Sequence, residues 1–198
     1  MTAIGPIEIR DEPPSKIVEH ATISNAFEVA AIFDVPFSSA GEAVVSLVER
    51  RIATPYVKEY DIPGNTPDDW ARRFDMSNWG LISAWLDGRR AGGAVIAWKS
   101  DGVDMLEGRD DIAVLWDLRA APQFRRGGVA SALFAAVERW AVARGCRELK
   151  IETQNINVPA CRFYASRGCE LRAARRGAYP QYPAEIMLLW YKRLSDCN

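Results

Sequence analysis

The sequence predicts a mixed α/β fold, a sheet flanked by helices, within one domain. Three observations predict it. Residues 112–166 alternate strand-like and helix-like segments. Two apolar runs, 81–86 and 94–98, are joined through the turn pair Asp87-Gly88, a hairpin signal. Between 112–119 and 128–144, an apolar strand turns through Gly127-Gly128 into a strongly periodic helix.

Taken in order, residues 1–25 contain Pro13-Pro14 and little periodicity, and read as an extended N-terminal arm. The domain then covers 26–198. Residues 27–33 alternate as a first strand. Residues 41–51 read as a short amphipathic helix carrying Val44, Val45, Leu47 and Val48. Residues 55–67 are rich in turn formers and read as a loop, and 68–74 as a helical turn. The hairpin 81–98 follows, then a polar loop over 100–111. Helix 128–144 places Val129, Leu133, Val137, Trp140 and Ala141 on one face. Strand 147–153, helix 158–166 and a closing strand 185–192 complete the chain. Strand–helix–strand alternation from 112 onward demands parallel pairing locally.

Composition narrows the function classes. A chain of 198 residues buries a full core as one domain. Hydrophobic content of 48% and charged content of 26% fit a soluble globular protein. The net charge of −1 argues against a nucleic-acid partner. No apolar run reaches membrane-spanning length and the N-terminus lacks a signal-peptide pattern, so a cytoplasmic protein without a membrane partner is expected. Cys146, Cys161, Cys169 and Cys197 lack metal-like spacing and read as reduced thiols. The one histidine, His20, lies in a polar N-terminal stretch, which argues against a histidine-centred triad or a His-rich metal site, and no metal is expected. Oligomeric state stays open, a homodimer included.

The run Gln123-Phe-Arg-Arg-Gly-Gly-Val-Ala130 carries the clearest chemistry. Helix N-termini leave backbone N–H groups without acceptors, and those donors with the helix dipole suit phosphate. Glycine permits close approach, and Arg125 and Arg126 add positive charge at the rim. The alternative is a plain strand–turn–helix with two solvated arginines. Neither of the common nucleotide-binding glycine motifs is present.

The stretch Arg125-Arg126-Gly127-Gly128-Val129-Ala130 resembles the pyrophosphate loop of the GNAT N-acetyltransferases, Q/R-x-x-G-x-G/A. Further landmarks follow at the family's distances: Gly145, the strand from Glu148 to Thr153, and Asn157-Val-Pro-Ala160 leading to Tyr164 and Gly168. Cys169 stands where the family usually has phenylalanine, a packing change. Leu149-Lys-Ile-Glu-Thr-Gln154, Asn157-Val-Pro-Ala-Cys161, Ile32-Phe-Asp-Val35 and Thr54-Pro-Tyr-Val-Lys-Glu-Tyr60 are similar to the streptothricin acetyltransferase subgroup. The resemblance implies a mostly antiparallel central sheet with a splayed parallel strand pair, and acetyl-CoA as cosubstrate. It also implies transfer of an acetyl group to a primary amine.

The same resemblance distributes roles. Backbone groups of Leu118, Arg119 and Ala120 match the strand end that binds the acyl and pantetheine parts, although Leu118 and Ala120 also read as core. Arg125, Arg126, Gly127, Gly128, Val129 and Ala130 match the pyrophosphate loop. Tyr164 matches the tyrosine that protonates the leaving thiolate; its phenol, with a pKa of about 10, stays protonated near neutrality. The alternative is a core aromatic beside Phe163. Asn157 matches an asparagine near the pantetheine arm, and it also suits the cap of helix 158–166. For the general base, Glu152 is preferred to Asp117, since alternation puts Asp117 on one face with Arg119, where the two would pair. Glu152 shares a face with Lys150 by the same rule and reads equally as structural. The acceptor wall is expected from Tyr56, Tyr60, Asp61, Trp79 and Tyr182, because aromatics with carboxylates suit a cationic amine; Glu59, Asp61, Asp68 and Asp69 also read as a solvated loop. Rival functions are acetylation of a protein N-terminus or lysine, and a non-catalytic acyl-CoA-binding module.

Overall fold

A computed structural model describes residues 5–37 and 46–195. In chain order the strands are β1 (Glu8–Glu12), β2 (Phe27–Asp34), β3 (Val48–Lys58), β4 (Gly80–Leu86), β5 (Arg89–Ala97), β6 (Ile112–Ala120), β7 (Glu148–Gln154), β8 (Glu170–Arg175) and β9 (Met187–Arg193). The helices are α1 (Ile17–Ala21), α2 (Pro67–Arg73), α3 (Val129–Val142) and α4 (Val158–Ser166). The expected class holds: a mixed α/β fold whose sheet is mostly antiparallel with one parallel pair, β6 and β7. The chain divides into two compact units. The first comprises the chain up to Asn25, Glu59–Leu149 and the chain from Leu194; the second comprises Ala26–Lys58 and Lys150–Arg193.

In the first unit β1, β4, β5 and β6 form an antiparallel meander, and α3 packs on β4, β5 and β6. The predicted apolar stripe of α3 is the buried one: Val129, Leu133, Val137, Trp140 and Ala141 are all buried. Leu133 and Phe134 are fully buried, as are Ala94–Ala97 of β5, the strand on which α3 packs. A Cβ on Gly92 would lie 2.7 Å from Val129 Cγ1 and 3.0 Å from Leu133 Cδ1, so the bare glycine is what lets the first turns of α3 lie on β5. Thr66 begins α2 with a capping box to Asp69, which the sequence T-P-D-D encodes locally.

In the second unit β2 and β3 form a two-stranded antiparallel ribbon, and β8 pairs antiparallel with β9. Asn155, just past β7, ties these pieces together. Its Nδ2 donates to the Phe33 carbonyl (2.9 Å) and its Oδ1 accepts the Ile186 N–H (2.8 Å). Its backbone bonds the same two residues, accepting from Phe33 and donating to Ile186, both at 2.9 Å.

Several expectations need correction. Residues read as an extended arm supply β1, paired with β4, and α1. The helix expected over 41–51 fails where it can be seen: Val48–Arg51 begin β3, while 41–45 lie outside the described residues. β3 also runs to Lys58, into the stretch read as a loop over 55–67. Strand β8 is an addition. Its sequence ELRAAR has helix-forming composition, and pairing with β9 overrides that propensity. No helix among the described residues is long and apolar enough to cross a membrane.

Candidate active site

The first unit presents the end of β6 and the start of α3. Pairing of β5 with β6 slips between Val95↔Asp117 and Ile96↔Leu115, so Trp116 is an extra residue in β6. Such a bulge re-aims side chains and increases local twist. The Trp116 ring lies with Phe74 and Trp79, each at 5.3 Å between centroids, and with Trp70 at 6.1 Å. Trp79, expected in an acceptor wall, is 5% exposed within this aromatic cluster.

Beyond the bulge, Asp117 and Arg119 pair as alternation predicts, with Arg119 Nε donating to Asp117 Oδ2 at 2.5 Å. The pair extends further than the sequence could show. His20 Nε2 lies 2.8 Å from the same Asp117 oxygen, and His20 is fully buried rather than part of a polar arm. Arg119, whose side chain is also fully buried, bonds both oxygens of Asp61 (2.6 and 2.8 Å) and the Ile23 carbonyl (2.9 Å). Asn25 Nδ2 holds Asp61 Oδ1 at 2.9 Å, and Asn25 Oδ1 accepts the Tyr60 N–H at 3.1 Å. Burial pushes Asp117 up, but the His20 hydrogen bond and the Arg119 charge outweigh it and hold the carboxyl below its ordinary range. A carboxylate so stabilised is a poor proton acceptor. Asp61, expected to draw in a cationic amine, has both oxygens on Arg119.

After β6 the chain makes one 3-10 turn at Pro122–Phe124, then passes through Arg126 (φ +63°) and Gly128 (φ +85°) into α3. Left-handed backbone at a non-glycine residue costs about 1–2 kcal/mol. The first intrahelical bond is Ala132 N–H to the Gly128 carbonyl, 3.0 Å. No side chain caps the helix, and its first turn contains no acid. The N–H donors of that turn therefore face an uncapped, non-acidic end, as a bound anion requires. Arg125, Arg126 and Gly128 are exposed, and Arg125 Nε is steadied by the Ala120 carbonyl at 3.1 Å. Leu118 and Ala120 are half-buried, so neither is a sealed core residue. An uncapped helix start rimmed by two arginines suits an anionic group such as a diphosphate.

The second unit presents the end of β7, helix α4 and the segment 179–185. Glu152 is half-buried and accepts a hydrogen bond from Tyr179 Oη at 2.7 Å. Burial pushes its carboxyl above the ordinary range, although the Tyr179 bond and Lys150 pull the other way. The neighbouring Thr153 Oγ1 accepts from Trp190 Nε1 (2.9 Å) and lies 3.4 Å from Cys161 Sγ. Burial pushes the Cys161 thiol up to about 11, despite the Thr153 bond, which keeps it an inert thiol.

Asn157 caps α4, its Oδ1 accepting the Ala160 N–H at 3.1 Å. Val158, Cys161 and Tyr164 form the buried face of that helix. Tyr164 is 7% exposed and meets the half-buried Phe163 edge-on at 5.3 Å, so the two adjacent aromatics do face differently. On the ribbon side, Tyr56 is 43% exposed. Burial and the charge of Glu185 push its phenol up. Lys58 Nζ lies 2.6 Å from Glu185 Oε1 and 3.2 Å above the Tyr182 ring.

Among the expected site residues, then, Asp117, Arg119 and Asp61 come together as one ion network, and Tyr56 and Tyr182 share the neighbourhood of Glu185. Sequence reasoning missed His20, Tyr179, Lys58 and Glu185. Their partners lie between 27 and 127 residues away in sequence, and no local periodicity reports such pairs.

Residues 46–169 match the family model "Acetyltransferase (GNAT) family". The chain is 26% identical to the streptothricin acetyltransferase of Escherichia coli over 90% of this chain and 91% of that one. Its fold is similar to that of nourseothricin acetyltransferase, with a TM-score of 0.76 and 22% identity over 96% of this chain and all of the other. It is also similar to a Bacillus anthracis protein solved in complex with acetyl coenzyme A, with a TM-score of 0.71 and 20% identity, covering 96% of this chain and 98% of that one. The chain belongs to the GNAT acetyltransferase family. It is an acetyl-CoA-dependent acyltransferase.

Proposed function

We propose that the enzyme moves an acetyl group from acetyl-CoA to a primary amine of a small cationic substrate, with a streptothricin-like antibiotic as the favoured acceptor. The observation that carries this reading is the span of the likeness to the Escherichia coli streptothricin acetyltransferase, which covers 90% of this chain and 91% of that one. Acetyl-CoA supplies a thioester carbon for attack. The backbone N–H groups of residues 126–130, with Arg125 and Arg126, hold its diphosphate; backbone groups of Leu118, Arg119 and Ala120, with Asn157, hold the pantetheine arm. Glu152 takes the amine proton, because a carboxyl raised by burial lies nearer the working pH than a lowered one. Asp117 is instead the anchor of Arg119. Tyr164 gives a proton to the leaving thiolate. Tyr56, Tyr60 and Tyr182 are assigned to the acceptor; of the other two expected residues, Asp61 is engaged by Arg119 and Trp79 by the aromatic cluster of the first unit.

A net charge of −1 and buried thiols support a cytoplasmic enzyme without nucleic-acid or membrane partners. A homodimer is tested by the mass in solution. The function is tested by incubating the protein with acetyl-CoA and streptothricin and mapping the product by mass spectrometry. One added acetyl group on an amine is the expected result; an unmodified antibiotic alongside acetylated peptide controls would overturn the substrate class.

A further inference from the structure

Lys58 and Glu185 are the feature of the second unit that the transfer chemistry leaves unused. Their side chains are 9% and 10% exposed and meet at 2.6 Å. Lys58 Nζ also sits 3.2 Å above the centre of the Tyr182 ring. The exposed Tyr56 is close enough for the Glu185 charge to perturb its phenol. A primary ammonium is thus held by one carboxylate and one aromatic face, beside a second ring that solvent reaches. Burying such a pair gains little stability, because desolvation of both charges offsets their attraction.

The carrier of this box is a short tight segment. Tyr182 N–H donates to the Tyr179 carbonyl and Glu185 N–H to the Tyr182 carbonyl, both at 2.9 Å. Tyr179 in turn holds Glu152 at 2.7 Å. The residues that grip an ammonium and the residue that steadies Glu152 therefore sit on one stretch of seven residues, each locked to the next by a turn.

We infer that Glu185 and the face of Tyr182 form a binding site for a second, non-reacting ammonium of the acceptor, and that Lys58 occupies this site until such an ammonium displaces it. This rests on the proposed transfer to a cationic amine. The non-reacting nitrogen is the right one for the site. A carboxylate and a ring face both favour the charged form of an amine, whereas the attacking nitrogen must be neutral. The inference commits to polycations: a monoamine has nothing to place there.

The test compares spermidine, a polyamine, with butylamine, a monoamine, as acceptors. Lys58→Met empties the box and should lower KM for spermidine about tenfold, a step of one decade in affinity, with KM for butylamine and for acetyl-CoA unchanged. Glu185→Gln should raise KM for spermidine by a similar factor and leave butylamine alone. Lys58→Arg, which keeps an ion pair, should raise it and serves if the methionine variant does not fold. Calorimetry of spermidine binding without acetyl-CoA reads the same site independently of turnover. If no amine is turned over yet spermidine binds more tightly to Lys58→Met, the proposed function fails and this site stands. Equal effects on both amines, or no change in spermidine binding in either the Lys58 or the Glu185 variant, would overturn it.

Discussion

Glu152 and Asp117 show how two carboxyls one strand apart in sequence acquire opposite characters. Asp117 is held low by His20 and Arg119, and Glu152 is raised by burial. If Glu152 is the base, it must be ionised to work, so the rate should fall as pH drops through a value above the ordinary glutamate pKa of about 4.3. Tyr179 donates to the ionised form and lowers that value. Tyr179→Phe should therefore shift the acidic limb of the kcat/KM profile to higher pH, while Glu152→Gln should cost about 10²–10⁴ in kcat. A limb that stays put in both variants would assign the proton transfer elsewhere. Tyr164→Phe keeps the edge-on packing with Phe163 and removes one hydroxyl, so kcat should drop by about 10²–10⁴ with acetyl-CoA affinity retained. Stability loss with normal turnover would make Tyr164 a core residue only. The Asp117–Arg119 pair was legible from alternation. Its continuation to His20 and Asp61 was not, because those contacts span 97 and 58 residues.

At the scale of elements, legibility followed local signals. Helix α4 begins at the Asn-Val-Pro cap that the sequence displays, and α3 buries the apolar stripe that its periodicity announces. The ribbon strand β3 was misread at its start, since Val44, Val45, Leu47 and Val48 mimic a helix face while the strand is set by pairing with β2. The bulge at Trp116 leaves no sequence mark at all; it exists only in register with β5. The start of α3 gives the sharpest prediction at this scale. A side chain at Gly128 would meet little protein, its nearest neighbour being Ile7 Cδ1 at 3.8 Å. Its cost is the positive φ, about 1–2 kcal/mol, plus whatever ligand it displaces. Gly128→Val should thus remain folded with a modestly lower Tm, and calorimetry should show acetyl-CoA binding weakened well beyond tenfold. Unchanged affinity in the folded variant would remove the diphosphate from this helix end.

For the whole molecule, the cosubstrate side is written in contiguous motifs and the acceptor side is not. Residues 125–130 and 157–164 carry recognisable local patterns. The proposed acceptor side depends on Lys58 meeting Glu185 and on Tyr179 meeting Glu152, pairings that folding alone creates. A cationic acceptor must also lose a proton before attack, so turnover should rise with pH beyond the Glu152 limb as more of the amine becomes neutral. The central claim is transfer to a small cationic amine. The most direct measurement is acetyl-CoA-dependent thiol release by the purified protein, with streptothricin, simple diamines and an N-terminal peptide mixture offered separately under the same conditions. The account predicts efficient release with streptothricin or the diamines and little with peptides; efficient turnover of peptides with none of the small amines would contradict it.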